Sequence, residues 1–562
     1  MSRSTPARPA DLAETGPTAA EAPAPSGRGR RFAWGAALAV GVAVLFAGYL
    51  RMARSTAMNA DGASNALQAW DMLHGNLLLR GWTMSDVPFY TTELIQHALV
   101  ELVRGLDADV VHIAAAITYT LLVILVALLA RGRASGVDAL ARMGVAVAIV
   151  LAPSPGIGVL TVLSSPNHTG SGVPLLLTWL VLDQALAHPE GRLRRWVPVA
   201  VAALLAWGQG GDPLVTFVAV VPLVAVCGWR IIRGRGPWRQ RLLGLDGQLI
   251  AAGIASTLLA RALLAAVKVA GGFHVHGVPV QLAPPDQLAH RVQVTATNTA
   301  VVFGAYLPAR DIPIEVVFGV VGAVAMVVAL ATVAVTVIGA LRQRGHRDLV
   351  SDILAVSVVV NLAAYLVSTL PDDRGGSREI IAMLPLGAAL VGRVFVGRFL
   401  APRVAVRRLV QMAAALLLVA SAAFVSRAAA PSAPSEAQAA ADWLVAHRQT
   451  YGIGSYWAAN SITLTTGGRV QVAPVIGQDT IVGYRWESRA DWYDPTRHDA
   501  RFLVLDRRSG VYGTVETAVR QFGQPMARHD FGDQAILVYD HNLLVGLPAD
   551  CGKPAMAECL KD

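Results

Sequence analysis

Long apolar stretches bounded by polar or basic residues recur along most of the chain as far as residue 427. A bilayer core takes about 20 apolar residues per helix, with a working range of ~17–25. Runs at roughly 32–50, 110–130, 138–153, 171–187, 196–209, 213–230, 246–270, 312–340, 350–370, 380–397 and 409–427 therefore predict about eleven transmembrane helices. The segment 51–109 breaks this rhythm with two amphipathic stretches, Ala66 to Leu73 and Leu94 to Val103, expected to lie along the membrane face. Beyond residue 428 the period changes. A Pro431/Pro434 linker and a helix near Glu436–His447 precede alternating runs at Arg469–Val475, Arg501–Leu505 and Gln534–Tyr539, which read as strands.

The expected architecture is thus an all-α polytopic membrane bundle with a small C-terminal α/β domain. Residues 1–31 form a disordered tail, 32–427 the bundle with its large loop 51–109, and 428–562 the domain. Composition agrees: 54% of residues are hydrophobic and 15% charged, against roughly 25% charged in soluble domains. Aromatics are only 6%, so the apolar content is mostly Ala, Val and Leu, which suits helices packed in lipid.

The net charge of +9, from 47 basic and 38 acidic residues, could suggest a nucleic-acid partner. The placement of the arginines decides otherwise. With the N-terminus inside, five loops retained on the cytoplasmic side carry them: Arg131/Arg133, Arg192/Arg194/Arg195, Arg230 to Arg241, Arg342/Arg344/Arg347 and Arg398/Arg403/Arg407/Arg408. The intervening loops 154–170 and 208–213 have neither Arg nor Lys. An odd helix count then puts the C-terminal domain outside. The tail is too long and acidic for a signal-peptide n-region, and no cleavage site follows the first apolar run. Cys227 reads as a packing residue. Cys551 and Cys559 either pair in an extracytoplasmic tail or stay free.

The polar residues of the outer loops are the candidates for chemistry, because ionisable groups at a membrane boundary are costly to keep. Asp61, in Asn59-Ala60-Asp61-Gly62, fits a helix N-cap or a catalytic carboxylate. Asp71 and His74 are three apart and Glu93 and His97 four apart, so each pair shares a helix face as a surface pair or as part of a site. Asn167-His168-Thr169 matches a glycosylation sequon by chance or function. Asp212 stands in the turn Gly208-Gln209-Gly210-Gly211-Asp212-Pro213 as turn former or functional group. Asp372, Asp373, Arg374, Arg378 and Glu379 crowd one short loop, where the arginines pair locally or meet an anionic ligand. His274 and His276 are a weak metal pattern.

This layout resembles the GT-C class of polytopic membrane glycosyltransferases, as a divergent bacterial member. A long first outer loop has an acidic residue soon after the first helix, about eleven spans follow, and an outer domain ends the chain. Gly81-Trp82, Pro88-Phe89-Tyr90 and Tyr451-Gly452-Ile453-Gly454-Ser455-Tyr456-Trp457 are similar in placement to segments of that class. Many members carry a paired acid after the first helix, whereas here Asp61 stands alone. The resemblance implies sugar transfer from a polyprenyl-phosphate-linked donor to an extracytoplasmic glycan, lipid or protein. Asp61 would be the general base, and Arg374 and Arg378 would face the departing phosphate. Asp71, His74, Glu93, His168, Asp212 and Asp372 would bind substrate, and Asp212 or Asp71 would hold sugar hydroxyls or a divalent cation (Mg or Mn). Tyr90, Trp82 and Trp70 would line a groove or anchor at the interface. The competing readings are a catalytically silent relative serving envelope assembly and a transporter or flippase.

Overall fold

The computed structural model describes residues 27–188, 192–275, 280–308, 312–342 and 348–550. Expectations for His276, Cys551, Cys559, Arg344 and Arg347, and for the tail up to residue 26, lie outside them. The chain divides into two compact units, Met1–Leu45 and Phe46–Asp562. The described part of the first is the beginning of helix α1 (Gly27–Ala53), which starts inside the stretch expected as tail. It exposes Phe32, Leu38, Val40 and Val44, the face a lipid-embedded helix presents.

In the second unit each of the remaining expected spans is helical. In chain order the elements are α2 (Ala60–Leu73), β1 (Trp82–Met84), α3 (Glu93–Arg104), α4 (Asp109–Arg131), α5 (Gly136–Val150), α6 (Ile157–Val162), α7 (Gly172–Ala187) and α8 (Arg192–Gly211). A π turn at Thr216–Val220 runs into α9 (Val221–Arg233), followed by α10 (Trp238–Leu243), α11 (Leu245–Val269), β2 (His274–Val275), α12 (Leu288–Val302), α13 (Pro313–Arg342) and α14 (Leu349–Val367). Then come α15 (Met383–Leu390), wound between a 3-10 turn and a π stretch into one 375–400 rod, and α16 (Val406–Ala428).

Among the described residues eight helices are long and apolar enough to cross a membrane, fewer than eleven. The physical reason is length and charge: α5 and α7 have 15 and 16 residues, and α8 opens Arg-Leu-Arg-Arg. The rod 375–400 is the bundle's centre, with 89% of its apolar window buried, against 28% for α13.

Buried charge fastens this bundle. The Arg393 guanidinium donates to Asp183 at 2.7 Å, to Asp348 at 2.6 Å and to the Leu129 carbonyl at 2.8 Å. Arg427 donates to Glu315 at 2.8 Å and to the Pro153 carbonyl at 3.0 Å. Neither network stands out in sequence, because each arginine sits in or at the end of an apolar run.

The C-terminal part holds α17 (Gln438–Ala446), β3 (Tyr451–Ser455), α18 (Tyr456–Thr465), β4 (Gln471–Ile476), β5 (Val482–Tyr484), β6 (Ser488–Arg489), β7 (Phe502–Asp506), α19 (Val515–Phe522), β8 (Ala527–Phe531), β9 (Gln534–Val538) and β10 (Ala549–Asp550). Seven of the strands form a sheet in the order β10-β5-β4-β3-β7-β9-β8. β3 runs parallel to both neighbours, with Ile453 opposite Ala473 and Leu503. Strand alternation gives the sheet two apolar faces. Phe502 and Val504 pack on α17 and α18, while Ile453, Leu503 and Leu505 pack on Leu67, Trp82, Met84 and Phe89 of the first loop. A second sheet, β2-β1-β6, stitches the same loop to the C-terminal part.

Breaking a buried ion pair by removing one partner costs about 3–5 kcal/mol, because the other charge stays buried. Arg393→Ala strands Asp183 beside Asp348 and is expected to lower the detergent unfolding midpoint clearly, while exposed Arg407→Ala leaves it in place. Equal midpoints for both variants would contradict this role.

Candidate functional site

The site is assembled where the first loop meets the end of β3. Asn59 caps α2, its side chain accepting from the Gly62 amide at 2.9 Å. Asp61 is therefore not the cap. It sits in the first turn, where an acid suits the helix dipole, with its carboxylate free to face across the loop. Gly62 lets α2 approach: a Cβ there would lie 2.8 Å from both the Ser165 carbonyl and Val111 Cγ1.

Tyr456 opens α18 directly after β3, at the carboxyl end of a strand that runs parallel to both its neighbours. Its phenolic oxygen lies 2.5 Å from Asp61 Oδ1 and 2.7 Å from Glu487 Oε2. One phenolic proton cannot be donated to two carboxylates, so the trio retains a carboxyl proton. Burial raises the pKa of Glu487 well above the ordinary carboxyl value, and nearby Asp61 raises it further. Burial also raises Asp61, partly offset by the Tyr456 hydrogen bond and by Arg378. Glu487 is raised further than Asp61, so the retained proton favours Glu487 and the negative charge favours Asp61, on the side of Arg378. Glu487 is held in a left-handed conformation (φ 49°), and its carbonyl accepts from Ser64 at 3.2 Å and Asn460 at 3.1 Å. A non-glycine residue in that region is held by its surroundings.

A second group faces the first. His168 Nδ1 lies 2.8 Å from Asp212 Oδ2, and its Nε2 lies 3.1 Å from Glu379 Oε2. Burial alone would lower the imidazole, but carboxylates on both sides raise it well above its usual value, so it is an imidazolium. Arg378 stands between the two groups, 3.4 Å from Glu379 Oε1 and 57% exposed. Asp61 and Asp86 also act on it electrostatically. Asp86, at the rim, is raised by the surrounding protein and by Glu379. Around Tyr456 stand Trp457, Tyr484 and Tyr512, with ring centroids 5.1, 5.6 and 6.1 Å away.

Of the expected residues, Asp61, His168, Asp212 and Arg378 come together here. Glu93 lies directly behind them: its carboxyl fills the space a Gly170 side chain would need. Asp372 and Arg374 stay on the exposed loop, with Arg374 over the Tyr306 ring at 5.7 Å. Asp71 and His74 are not paired. Asp71 accepts from Asn76, Trp82 and Arg489 at 2.7, 2.8 and 3.1 Å, whereas His74 Nδ1 contacts the Trp70 carbonyl at 2.7 Å. Glu93 and His97 are not a surface pair either: both are buried, and His97 Nε2 lies 3.0 Å from Ser165 Oγ. Trp82 and Tyr90 are committed to Asp71 and the Leu77 carbonyl rather than to a groove. Asn167 is buried and donates to the Thr161 carbonyl at 2.6 Å, which leaves no accessible sequon. Tyr456, Glu487 and Glu379 complete the site. The segment Tyr451–Trp457 was the available signal for the first, and the charged loop for the last. Nothing local marked Glu487.

Among the described residues no three His, Cys, Asp or Glu side chains are grouped to hold a metal ion. Asp212 is taken by His168 and the Leu214 amide, and Asp71 by its three donors. Neither carboxylate named for a divalent cation, Asp212 or Asp71, is thus an uncommitted donor. What the arrangement can do is accept a proton at Asp61, hydrogen-bond hydroxyl groups at several carboxylates and stabilise one anion at Arg378.

No family model and no curated protein sequence matches the chain. Among solved structures, the Archaeoglobus fulgidus oligosaccharyltransferase in complex with Zn and sulfate is similar, with a TM-score of 0.47 at 10% identity. That match covers 81% of this chain and 64% of the other, so this chain spans under two thirds of its length. AglB from the same organism, with an inhibitory peptide and a dolichol-phosphate, also scores 0.47 at 10% identity, over 84% of this chain and 69% of that one. ArnT from Cupriavidus metallidurans bound to undecaprenyl phosphate scores 0.36 at 12% identity, over 90% and 98%. The likeness is one of layout, and the functional reading rests on the side chains of the site.

The inner face of α3 gives a pH test. Burial pushes Glu93 up to about 7, against a lowering contact from Thr92, and Glu101 up to about 9, from an ordinary 4.5, and among the described residues neither carboxyl has a hydrogen-bond partner of good geometry. For an acid raised in the folded state, the unfolded chain releases its proton first. The contribution is full below 4.5 and is lost as pH climbs toward 7 and 9. Melting between about pH 5 and about pH 8 should show stability falling in the wild type and a flatter profile in Glu93→Gln/Glu101→Gln. Parallel profiles would contradict the assignment.

Proposed function

We propose that this protein is a GT-C-like membrane glycosyltransferase that moves a sugar from a polyprenyl-phosphate donor to an extracytoplasmic hydroxyl acceptor. The observation that carries the reading is the Asp61–Tyr456–Glu487 trio, with 2.5 and 2.7 Å contacts, facing Arg378. Such a transfer needs a base for the acceptor proton and a cation for the leaving phosphate.

In this reading the acceptor oxygen attacks the anomeric carbon, and its proton passes to Asp61. The bond between that carbon and the phosphate oxygen breaks with its electron pair, and the lipid phosphate leaves beside Arg378. Arg374 stands on the same loop, further out, where it can steer the anionic donor. Tyr456 and protonated Glu487 keep Asp61 oriented and ionised, and the imidazolium of His168 fixes Asp212 and Glu379 as acceptors for sugar hydroxyls. The arginine-rich loops support a cytoplasmic N-terminus in this reading, with the site on the opposite side. A silent-scaffold reading drew on Asp61 standing alone, and Glu487 supplies a second carboxyl at the same phenol. A transporter reading wants free charge within the spans; Arg393 and Arg427 are held in ion pairs, which leaves it Arg261 and Lys268 of α11, the latter in the last turn where it can snorkel.

Reconstituted protein should transfer label from a polyprenyl-phosphate sugar within a panel of pentose and hexose donors. Asp61→Asn should cut the rate about 10²–10⁴-fold and Arg378→Ala about 10²–10³-fold, while His74→Ala, outside the site, leaves it unchanged. Transfer by no donor in the panel, or full activity in Asp61→Asn, would overturn the proposal.

A further inference from the structure

Helix α8 carries Arg194 in its first turn and Asp212 just past its last, so about 30 Å separates the site from the opposite end of the bundle. At that opposite end, loops distant in sequence converge on two adjoining cavities of about 760 and 400 Å³ that share Leu186, Arg230 and Leu349. Five arginines line the larger: Arg194, Arg230, Arg233, Arg235 and Arg241. Arg230 is neutralised by Asp246 at 3.1 Å, and Arg241 is spent on the Ile231 and Gly234 carbonyls. Arg194, Arg233 and Arg235 have no carboxylate partner among the described residues, although the Arg233 guanidinium lies over the Trp229 ring at 4.5 Å. The topology rule asks only that basic residues stay on one side. It does not ask that they ring one cavity with their charge uncompensated.

The surroundings identify what would fill it. Trp196 (65% exposed), Ile232 (74%), Trp238 (60%) and Leu243 (78%) flank the arginines. The six-residue α10 turns Trp238, Leu242 and Leu243 outward beside them. Exposed Trp next to aliphatic side chains marks headgroup depth in a bilayer, and planar guanidinium forks suit phosphate. We propose that this cavity binds the phosphate-bearing headgroup of an anionic lipid, with Arg194, Arg233 and Arg235 as its ligands and the flanking apolar side chains against its acyl chains. Basic pockets between helices are the form such sites take.

The test uses delipidated full-length protein in detergent, titrated with cardiolipin, phosphatidylcholine and inorganic pyrophosphate and read by native mass spectrometry. Wild type should retain cardiolipin over phosphatidylcholine. Arg194→Gln/Arg235→Gln should weaken cardiolipin binding about tenfold or more, while Arg239→Gln/Arg407→Gln, which removes the same charge outside the cavity, should not. Pyrophosphate that binds with the same arginine dependence while cardiolipin does not would overturn the lipid assignment in favour of a soluble phosphate. Equal cardiolipin binding by all forms, or equal loss in both double variants, would overturn the site itself. If the Gln variant fails to fold, Arg194→Lys/Arg235→Lys, which keeps the charge and loses the fork, takes its place with the same expected direction.

Discussion

Two carboxyl groups held against one phenol cannot both be ionised in a buried setting, and this protein is organised around that constraint. Asp61 comes from the first turn of α2 and Glu487 from the C-terminal part, with Tyr456 of α18 between them. For the three to meet, α2 must approach the 165 loop closely enough that only glycine fits at 62. The turn at Glu487 must also adopt a left-handed backbone. The sheet β2-β1-β6 and the shared apolar face of β3 and β7 hold these pieces in register. Burial that would be wasteful in an ordinary loop is what holds the Asp61 carboxylate against Tyr456.

The same logic accounts for the unusual polarity of α3. It turns Glu93, His97 and Glu101 inward and exposes Ile95, Leu99, Leu102 and Val103. In water that is inverted. At the edge of a bilayer it is the expected arrangement, with apolar side chains toward lipid and titratable groups toward the polar interior. Burial pushes His97 down to about 4, so its ring stays neutral behind the imidazolium of His168. Farther from the site, charge serves cohesion: Arg393 and Arg427 tie helices together inside the bundle.

Much of the architecture was legible in the sequence because lipid imposes a simple length rule. Every one of the eleven apolar runs is helical, and the alternating runs near 469, 501 and 534 are strands β4, β7 and β9. The span count is less legible, since α5, α7 and α8 are short or basic. Candidate residues from four separate loops, Asp61, His168, Asp212 and Arg378, do meet. Spacing failed where several partners compete for one group. Asp71 and His74 share a helix face, yet Asn76, Trp82 and Arg489 take the carboxylate. Glu487 was invisible because its role depends on a phenol 31 residues before it and an acid on the distant first loop, with Asp61 and Tyr456 themselves 395 residues apart.

The proton shared by the trio is the central claim, and infrared difference spectroscopy tests it most directly. Wild type minus Glu487→Gln at neutral pH should show a carboxylic-acid C=O stretch belonging to Glu487, and Tyr456→Phe should shift that band by removing its hydrogen-bond partner. A difference spectrum containing only ionised carboxylate bands would show that Asp61 and Glu487 do not share a proton and would contradict the account.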